Sequence, residues 1–289
     1  MHPDYYRFIA DEVEMKWFYD YAVPNIFEDN VLFMSLSARN KLLTKEEREK
    51  YQLSRSEMMR KTVIRKNGFK YLLETIRSLE CNKEGMLTKA GLPYPDKALR
   101  VYWNLNTTSC MKVLYEQRKL VDEHTQELIA AALKRSDVAI DSAYHKIRKI
   151  FDSTLSLYAK SCGKKMWMDF EIDLDGFYSE SQKDDFLELT SSRLIELLGR
   201  GNFLVISSPS GFHFPVKRSA VKFPPNVIVY MIKTTAEQMK IAVSECTRNE
   251  NEMVCLPSTY AYDSRGNKCI IRVLNKGDFS EKDKIIKLE

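Results

Sequence analysis

The segment Lys164-Lys-Met-Trp-Met-Asp-Phe-Glu-Ile-Asp-Leu-Asp175 carries carboxylates at every second position, Asp169, Glu171, Asp173 and Asp175. A strand would put all of them on one face and Phe170, Ile172 and Leu174 on the other. Residues two apart on a strand are about 6.6 Å apart. At an effective dielectric near 20 each neighbouring pair would repel by about 2–3 kcal/mol before solvent relief. Two explanations fit such a face. Hard oxygen donors suit a divalent ion such as Mg²⁺ or Mn²⁺, whose charge offsets the repulsion. A solvated strand edge can also carry charge simply to block aggregation.

A second chemical segment follows, Ser208-Pro-Ser-Gly-Phe-His-Phe-Pro-Val-Lys-Arg218. A glycine-containing turn at Ser210-Gly211 lets backbone N–H groups approach a phosphate. His213, Lys217 and Arg218 would add charged donors for a triphosphate. A lone histidine on a strand is more often structural, and it is the combination with the turn and the basic pair that stands out. A third segment, Glu245 to Tyr260, offers a further carboxylate at Glu245, Glu250 or Glu252 beside Arg248. Taken alone it reads as a charged loop.

In this order the segments resemble the archaeo-eukaryotic primase superfamily, closest to its primase-polymerase branch and phage relatives. Met168-Asp-Phe-Glu-Ile resembles that family's metal-binding Asp-x-Glu strand. Ser210-Gly-Phe-His213 resembles its second motif, where the histidine contacts the incoming nucleotide. Leu256-Pro-Ser-Thr259 resembles the segment after the third acid, for which Glu245 is the best candidate, although the hydrophobic-Asp pair expected there is missing. The resemblance covers roughly residues 160–275 and extends more loosely to Val31–Lys41 and Leu99–Lys112.

The resemblance implies an α+β fold, an N-terminal α/β module packed on an RRM-like mixed β-sheet module, with the site in the cleft between them. It implies a template-dependent nucleotidyltransferase, a DNA primase or primase-polymerase. Asp169, Glu171 and Glu245 would hold two Mg²⁺ or Mn²⁺ ions that assist in-line phosphoryl transfer. Ser210, Gly211, His213, Lys217, Arg218 and Lys165 would bind substrate, and Asp173 would orient a ligand from behind. Arg39, Lys41, Arg100, Lys164, Lys165 and Arg218 would meet template or primer phosphates. Trp103 would stack on a base or fill the core. Implied partners are single-stranded or primer-template DNA, an NTP or dNTP, and a helicase or other replication protein. Two further classes share some of these features. One is an RRM-like nucleic-acid-binding protein without catalysis. The other is a metal-dependent DEDD-type exonuclease, whose later His-x-x-x-Asp or Tyr-x-x-x-Asp spacing does not stand out after Asp169.

The elements that must position these residues are partly readable. Val31–Leu36 has strand length and pattern, and Thr44 with Glu47 is a capping box that predicts a helix start. Positions 54–80 read as a helix or helix pair broken near Asn67-Gly68, and 81–98 as a loop. Leu99–Leu105 reads as a strand, followed by a helix capped by Thr107 or Thr108 and running to about Lys134. Ser136 or Asp137 opens a long helix whose stripe of Ile140, Tyr144, Ile147, Phe151, Leu155 and Tyr158 predicts core packing. After the acidic strand come a helix over 181–198, a strand over 202–207, a turn at 208–211, a strand from Phe212, a helix over 226–240, and a β-rich end over 241–275. Two modules follow, residues 1–160 helix-rich α/β and 161–289 catalytic.

Composition limits the alternatives. The 289 residues hold 45 Lys+Arg against 40 Asp+Glu, a net charge of +5, and the sequence pI is near 8.7. With 44% hydrophobic and 29% charged residues the chain is of ordinary globular composition, which excludes a disordered or low-complexity protein. The mild basic excess permits a nucleic-acid partner without requiring one. No apolar run approaches the roughly 18 residues of a membrane span, and the first residues lack a signal pattern. The expectation is a protein of the cytoplasm or nucleoid, the host's if the chain is viral. The six cysteines, Cys81, Cys110, Cys162, Cys246, Cys255 and Cys269, form no Cys-x-x-Cys pair and read as reduced thiols.

Overall fold

The computed structural model describes residues 8–23, 30–40, 43–54, 57–64, 68–80, 87–160, 165–174, 179–249, 253–263 and 267–284. The chain is mixed α+β with antiparallel sheets. Among the described residues no helix is long and apolar enough to cross a membrane.

The first part of the chain supplies helix α1 (Glu12–Ala22), strand β1 (Asn30–Ala38), helix α2 (Lys45–Tyr51), strand β2 (Glu57–Ile64), helix α3 (Gly68–Glu80), strand β3 (Leu99–Asn104) and the short strand β4 (Thr108–Ser109). Asp11 caps α1 by accepting from the Val13 and Glu14 amides, and the Thr44–Glu47 capping box at α2 is formed in both directions. The helix expected over 54–80 is only half present. Glu57–Ile64 is a strand paired antiparallel with β1, and the helix begins at Gly68. Met58, Met59, Thr62, Val63 and Ile64 suit a pleated surface, and the partner strand decides the outcome.

Two 24-residue helices, α4 (Cys110–Leu133) and α5 (Asp137–Lys160), form a hairpin between the two halves of the chain. The cap of α4 is Ser109, which accepts from the Lys112 amide, rather than Thr107 or Thr108. The expected core stripe of α5 is met in part, with Ile140 and Ile147 half-buried. Ala143 and Ile150 are buried while Tyr144 faces solvent, and the side chains of Phe151, Leu155 and Tyr158 lie outside the described residues.

Beyond the hairpin run strand β5 (Trp167–Leu174), helix α6 (Glu180–Leu198), strands β6 (Ile206–Ser207) and β7 (Gly211–Lys217), helix α7 (Asn226–Gln238) and strand β8 (Val243–Asn249). They build one antiparallel sheet in the order β6-β7-β5-β8, with β5 inside it. Met168, Phe170, Ile172 and Leu174 turn to α6 and α7 and join Phe186, Leu194, Phe212, Phe214, Ile228 and Ile232 in one core. The chain then returns to the first half. Strand β9 (Met253–Cys255) pairs with β3 at the end of the sheet ordered β2-β1-β3-β9, and β10 (Tyr260–Tyr262) pairs with β11 (Lys268–Ile270). Val254, Leu256, Ala261, Ile271 and Val273 therefore lie in the same core as Phe18, Leu32 and Trp103. That core draws on residues from both sides of position 160. Trp103 fills it and packs edge-on against Phe18.

The start of β5 is pinned to the first half. Asn106 accepts from the Met166 and Trp167 amides and donates to the Trp167 carbonyl, while the Trp167 indole donates to Ala22 O at 2.8 Å. These bonds hold the acidic strand against the first sheet.

Candidate functional site

In the antiparallel register Asp169 stands opposite Pro215 of β7 and Asn249 of β8, Glu171 opposite His213 and Thr247, and Asp173 opposite Gly211 and Glu245. Directly opposed residues share a face. Alternation therefore assembles Asp169, Glu171, Asp173, His213 and Glu245 on the side of the sheet away from α6 and α7. His213 lies against the carboxylates, with Nδ1 2.9 Å from Asp169 Oδ2 and Nε2 3.9 Å from Glu171. Asp173 accepts from Ser210 Oγ at 2.7 Å. The side chains of Asp169 and His213 are 0% and 4% exposed, whereas Glu171 is 28% exposed, so the site opens along its Glu171 edge. Glu245 is exposed and accepts from Thr247 Oγ1 at 3.4 Å.

The buried end of this face meets the first sheet. His213 contacts Cys255 of β9, which pairs with Tyr102 of β3. Tyr102 in turn accepts from the Arg39 guanidinium at 2.8 Å, and the buried Arg100 donates to Tyr262 O at 3.0 Å. Burial disfavours a charged His213, but the Asp169 carboxylate outweighs it, with further help from Cys255 and Glu171. The imidazole is held well above its ordinary value. Burial likewise works against a Cys255 thiolate, yet the bond from His213 and the charges of Arg100 and Arg39 hold the thiol below its usual value. Burial is the largest cause pushing the Tyr102 hydroxyl up, against the pull of both arginines. A chain of polar contacts thus runs from one sheet into the other.

Gly211 is required here for close approach. A Cβ would fall 1.8 Å from Ile172 O, so only glycine lets β7 lie this near β5 at Asp173. The Gly211 amide is also engaged, donating to Ser208 O across the β6–β7 turn at 3.4 Å. Lys217 and Arg218 stand elsewhere. Lys217 pairs with Trp167, at the end of β7 away from Gly211 but only two residues, about 7 Å of strand, beyond the Asp169 level. Its ammonium turns to Asp283 and the Phe279 ring, and burial lowers its pKa. Lys165 lies just before Trp167, at that same far end. Asp175, Glu250, Glu252, Lys41 and Lys164 lie outside the described residues.

The donors have the chemistry of a magnesium or manganese site, hard carboxylate oxygens on one face. Among the described residues, however, no group of three or more His, Cys, Asp or Glu side chains is placed to hold a metal ion. Mg²⁺ commonly takes one or two carboxylates plus substrate phosphate oxygens rather than a complete protein cage; of the two acids Glu171 is open to such a site, while Asp169 is buried and engaged by His213.

Sequence reading missed Tyr102 and Cys255. The signal for Tyr102 was present. Arg100, Tyr102 and Asn104 alternate with Val101 and Trp103 as the acids alternate in β5, and Arg100 and Tyr102 lie opposite Ser37 and Ser35 of β1. Cys255 had no local signal, because its partner His213 is distant in sequence. No protein-family model, curated protein or solved structure matches the chain.

Proposed function

We propose that the chain is a template-dependent nucleotidyltransferase of the primase or primase-polymerase kind. One observation carries the reading: an acid pair on the first, internal strand of a β-α-β-β-α-β unit, facing a histidine on the adjacent strand and a second sheet beyond. The unit's strand order, second-third-first-fourth, supports an RRM-like reading. In this reading the α/β layer across the polar face would supply the other wall of a cleft.

In this reading Asp169 and Glu171 would hold divalent ions together with triphosphate oxygens. Such ions, when bound, supply charge neutralisation on the departing pyrophosphate and activation of the 3′-hydroxyl. His213, kept cationic by Asp169 and bonded also to Cys255, would contribute positive charge behind the Glu171 edge rather than a free donor. Ser210 fixes the Asp173 carboxylate, and the Cys255–Tyr102–Arg39 contacts hold the histidine from behind. The exposed Glu245 stands opposite Asp173, diagonal to Glu171 across the β5–β8 ladder, and would join the pair through the bound nucleotide. Template or primer-template DNA, an NTP or dNTP and a helicase are the partners of this reading. Its setting is the cytoplasm or nucleoid, the host's for a viral chain.

The test is nucleotide incorporation on unprimed and primed single-stranded DNA with Mg²⁺ or Mn²⁺. Wild type makes labelled product, and Asp169→Asn or Glu171→Gln lowers the rate on the order of 100-fold while DNA binding persists. A second reading, an RRM-like DNA-binding module without catalysis, is favoured by the lack of a three-donor group among the described residues. DNA retention with no product on either template selects it and removes the enzyme.

A further inference from the structure

The face of the first sheet that meets His213 gathers two guanidinium groups and no carboxylate. Ser37 of β1 stands opposite Arg100 of β3, and Ser35 opposite Tyr102. Arg39 lies just past the end of β1, its backbone amide bonded to Ala98 O. Its guanidinium donates to the Tyr102 hydroxyl at 2.8 Å, and Arg100 reaches the same hydroxyl, so the two arginines converge. A buried cation is ordinarily matched by an acid. Arg100 is 3% exposed. Yet among the described residues neither arginine forms a salt bridge, and the Nε of each is buried without an acceptor. The other neighbours do not supply the missing charge. Arg100 faces Cys255 and Cys269 and donates to Tyr262 O. Burial pushes the Tyr102 hydroxyl up, which keeps it neutral. A Cys255 thiolate can offset only one positive charge, and His213 draws on it too.

We propose that Arg39 and Arg100, with the Ser37 hydroxyl beside them, form a site for a terminal phosphate group, of the kind carried by inorganic pyrophosphate or a nucleoside polyphosphate. Two planar guanidinium forks match a dianion in charge and in geometry. The closed end of the site selects a terminal group. Arg39 is half-buried and forms the way in, whereas Arg100 and Ser37 are buried. A phosphodiester has to continue on both sides, so the template or primer phosphates expected at these arginines from the sequence do not suit Arg100. The site belongs to the first sheet, apart from the Ser210-Gly211 turn on the second. It stands whether or not the chain joins nucleotides.

Calorimetric titration of the full chain with inorganic pyrophosphate in metal-free buffer tests the proposal. One equivalent binds. Arg39→Gln and Arg100→Gln each weaken binding about tenfold or more, as for loss of a charge-assisted hydrogen bond, while Ser210→Ala leaves it unchanged. Arg39 is partly exposed, so its variant keeps the wild-type melting temperature and gives an answer even where Arg100→Gln fails to fold. A single-stranded oligonucleotide with hydroxyl groups at both ends does not displace pyrophosphate. A wild type that binds no pyrophosphate overturns the proposal, as does binding that survives Arg39→Gln. Binding lost in Ser210→Ala overturns it and assigns the anion to the turn. Displacement by the oligonucleotide overturns the choice of a terminal group and gives the arginines to strand phosphates. Neither metal nor template enters the titration, so a chain that makes no nucleotide product can still pass it.

Discussion

The two faces of the β5 sheet are buried to similar depth and held by opposite means. Phe170 and Ile172 pack on α6 and α7, while Asp169 and His213, one residue away along the same strands, are buried against the first sheet. The apolar face is stabilised by removing surface from water, about 25 cal/mol for each Å². The acid face gains nothing from that transfer, because a buried carboxylate is tolerated only when paired. Depth of burial therefore does not separate scaffold from site in this molecule. The chemistry of pairing does, and substitutions on the two faces should fail differently.

The largest loss belongs to the apolar face. Phe170→Ala removes a ring from the centre of the α6–α7 core and should cost about 3–5 kcal/mol in urea unfolding, independent of pH. A cost under about 1 kcal/mol would mean that this face is not the core it is taken to be. Gly211→Ala comes next. Its methyl group would meet the Ile172 carbonyl, which belongs to the central strand and cannot swing aside. Overpacking against backbone there should cost about 2–3 kcal/mol. It should also shift Ser210 away from Asp173, harming both faces at once.

The sequence made one face of this contrast visible and left the other half-hidden. Strict alternation from Met168 to Leu174 gave the strand, its two faces and the acid positions, because period two over a full strand has no helical equivalent. The reason for Gly211 was not legible, since the clash that excludes a side chain comes from Ile172, far away in sequence. Strand β2 was misread because Arg60 and Lys61 interrupt its alternation, and its partner β1 decides the matter. Tyr144 was placed in the core because its spacing fits a helix face as well as that of Ala143. Only the position of α4 distinguishes them.

The buried charge pair should respond to pH, as the apolar face should not. His213→Gln keeps a donor toward Asp169 but removes the titrating group. The native state binds the His213 proton more tightly than the unfolded chain does. Its stabilisation is therefore complete below the ordinary value of 6.5 and disappears as pH rises through the raised native value. The stability gap between wild type and His213→Gln should be about 2 kcal/mol at the acid end of that range and narrow toward alkaline pH. Asp169 and Glu171 from β5 and Cys255 from β9 face this imidazole, with Arg100 and Arg39 behind the thiol. Repeating the series in Cys255→Ala isolates the histidine contribution. A gap that stays constant with pH would assign His213 a packing role.

Glu171→Gln should produce the smallest change in stability and the sharpest separation of the two faces. Its carboxylate is partly open to solvent and reaches His213 only at 3.9 Å. Neutralising it should cost less than about 1 kcal/mol, as for other loosely paired, partly exposed charges. It should even relieve repulsion from Asp169 and Asp173 on either side. Chemical denaturation and nucleotide incorporation measured on the same preparation decide the point. Unchanged unfolding with incorporation lost places Glu171 in the reaction, whereas unchanged unfolding with unchanged incorporation leaves the acid face as a charged surface and removes its claim to catalysis.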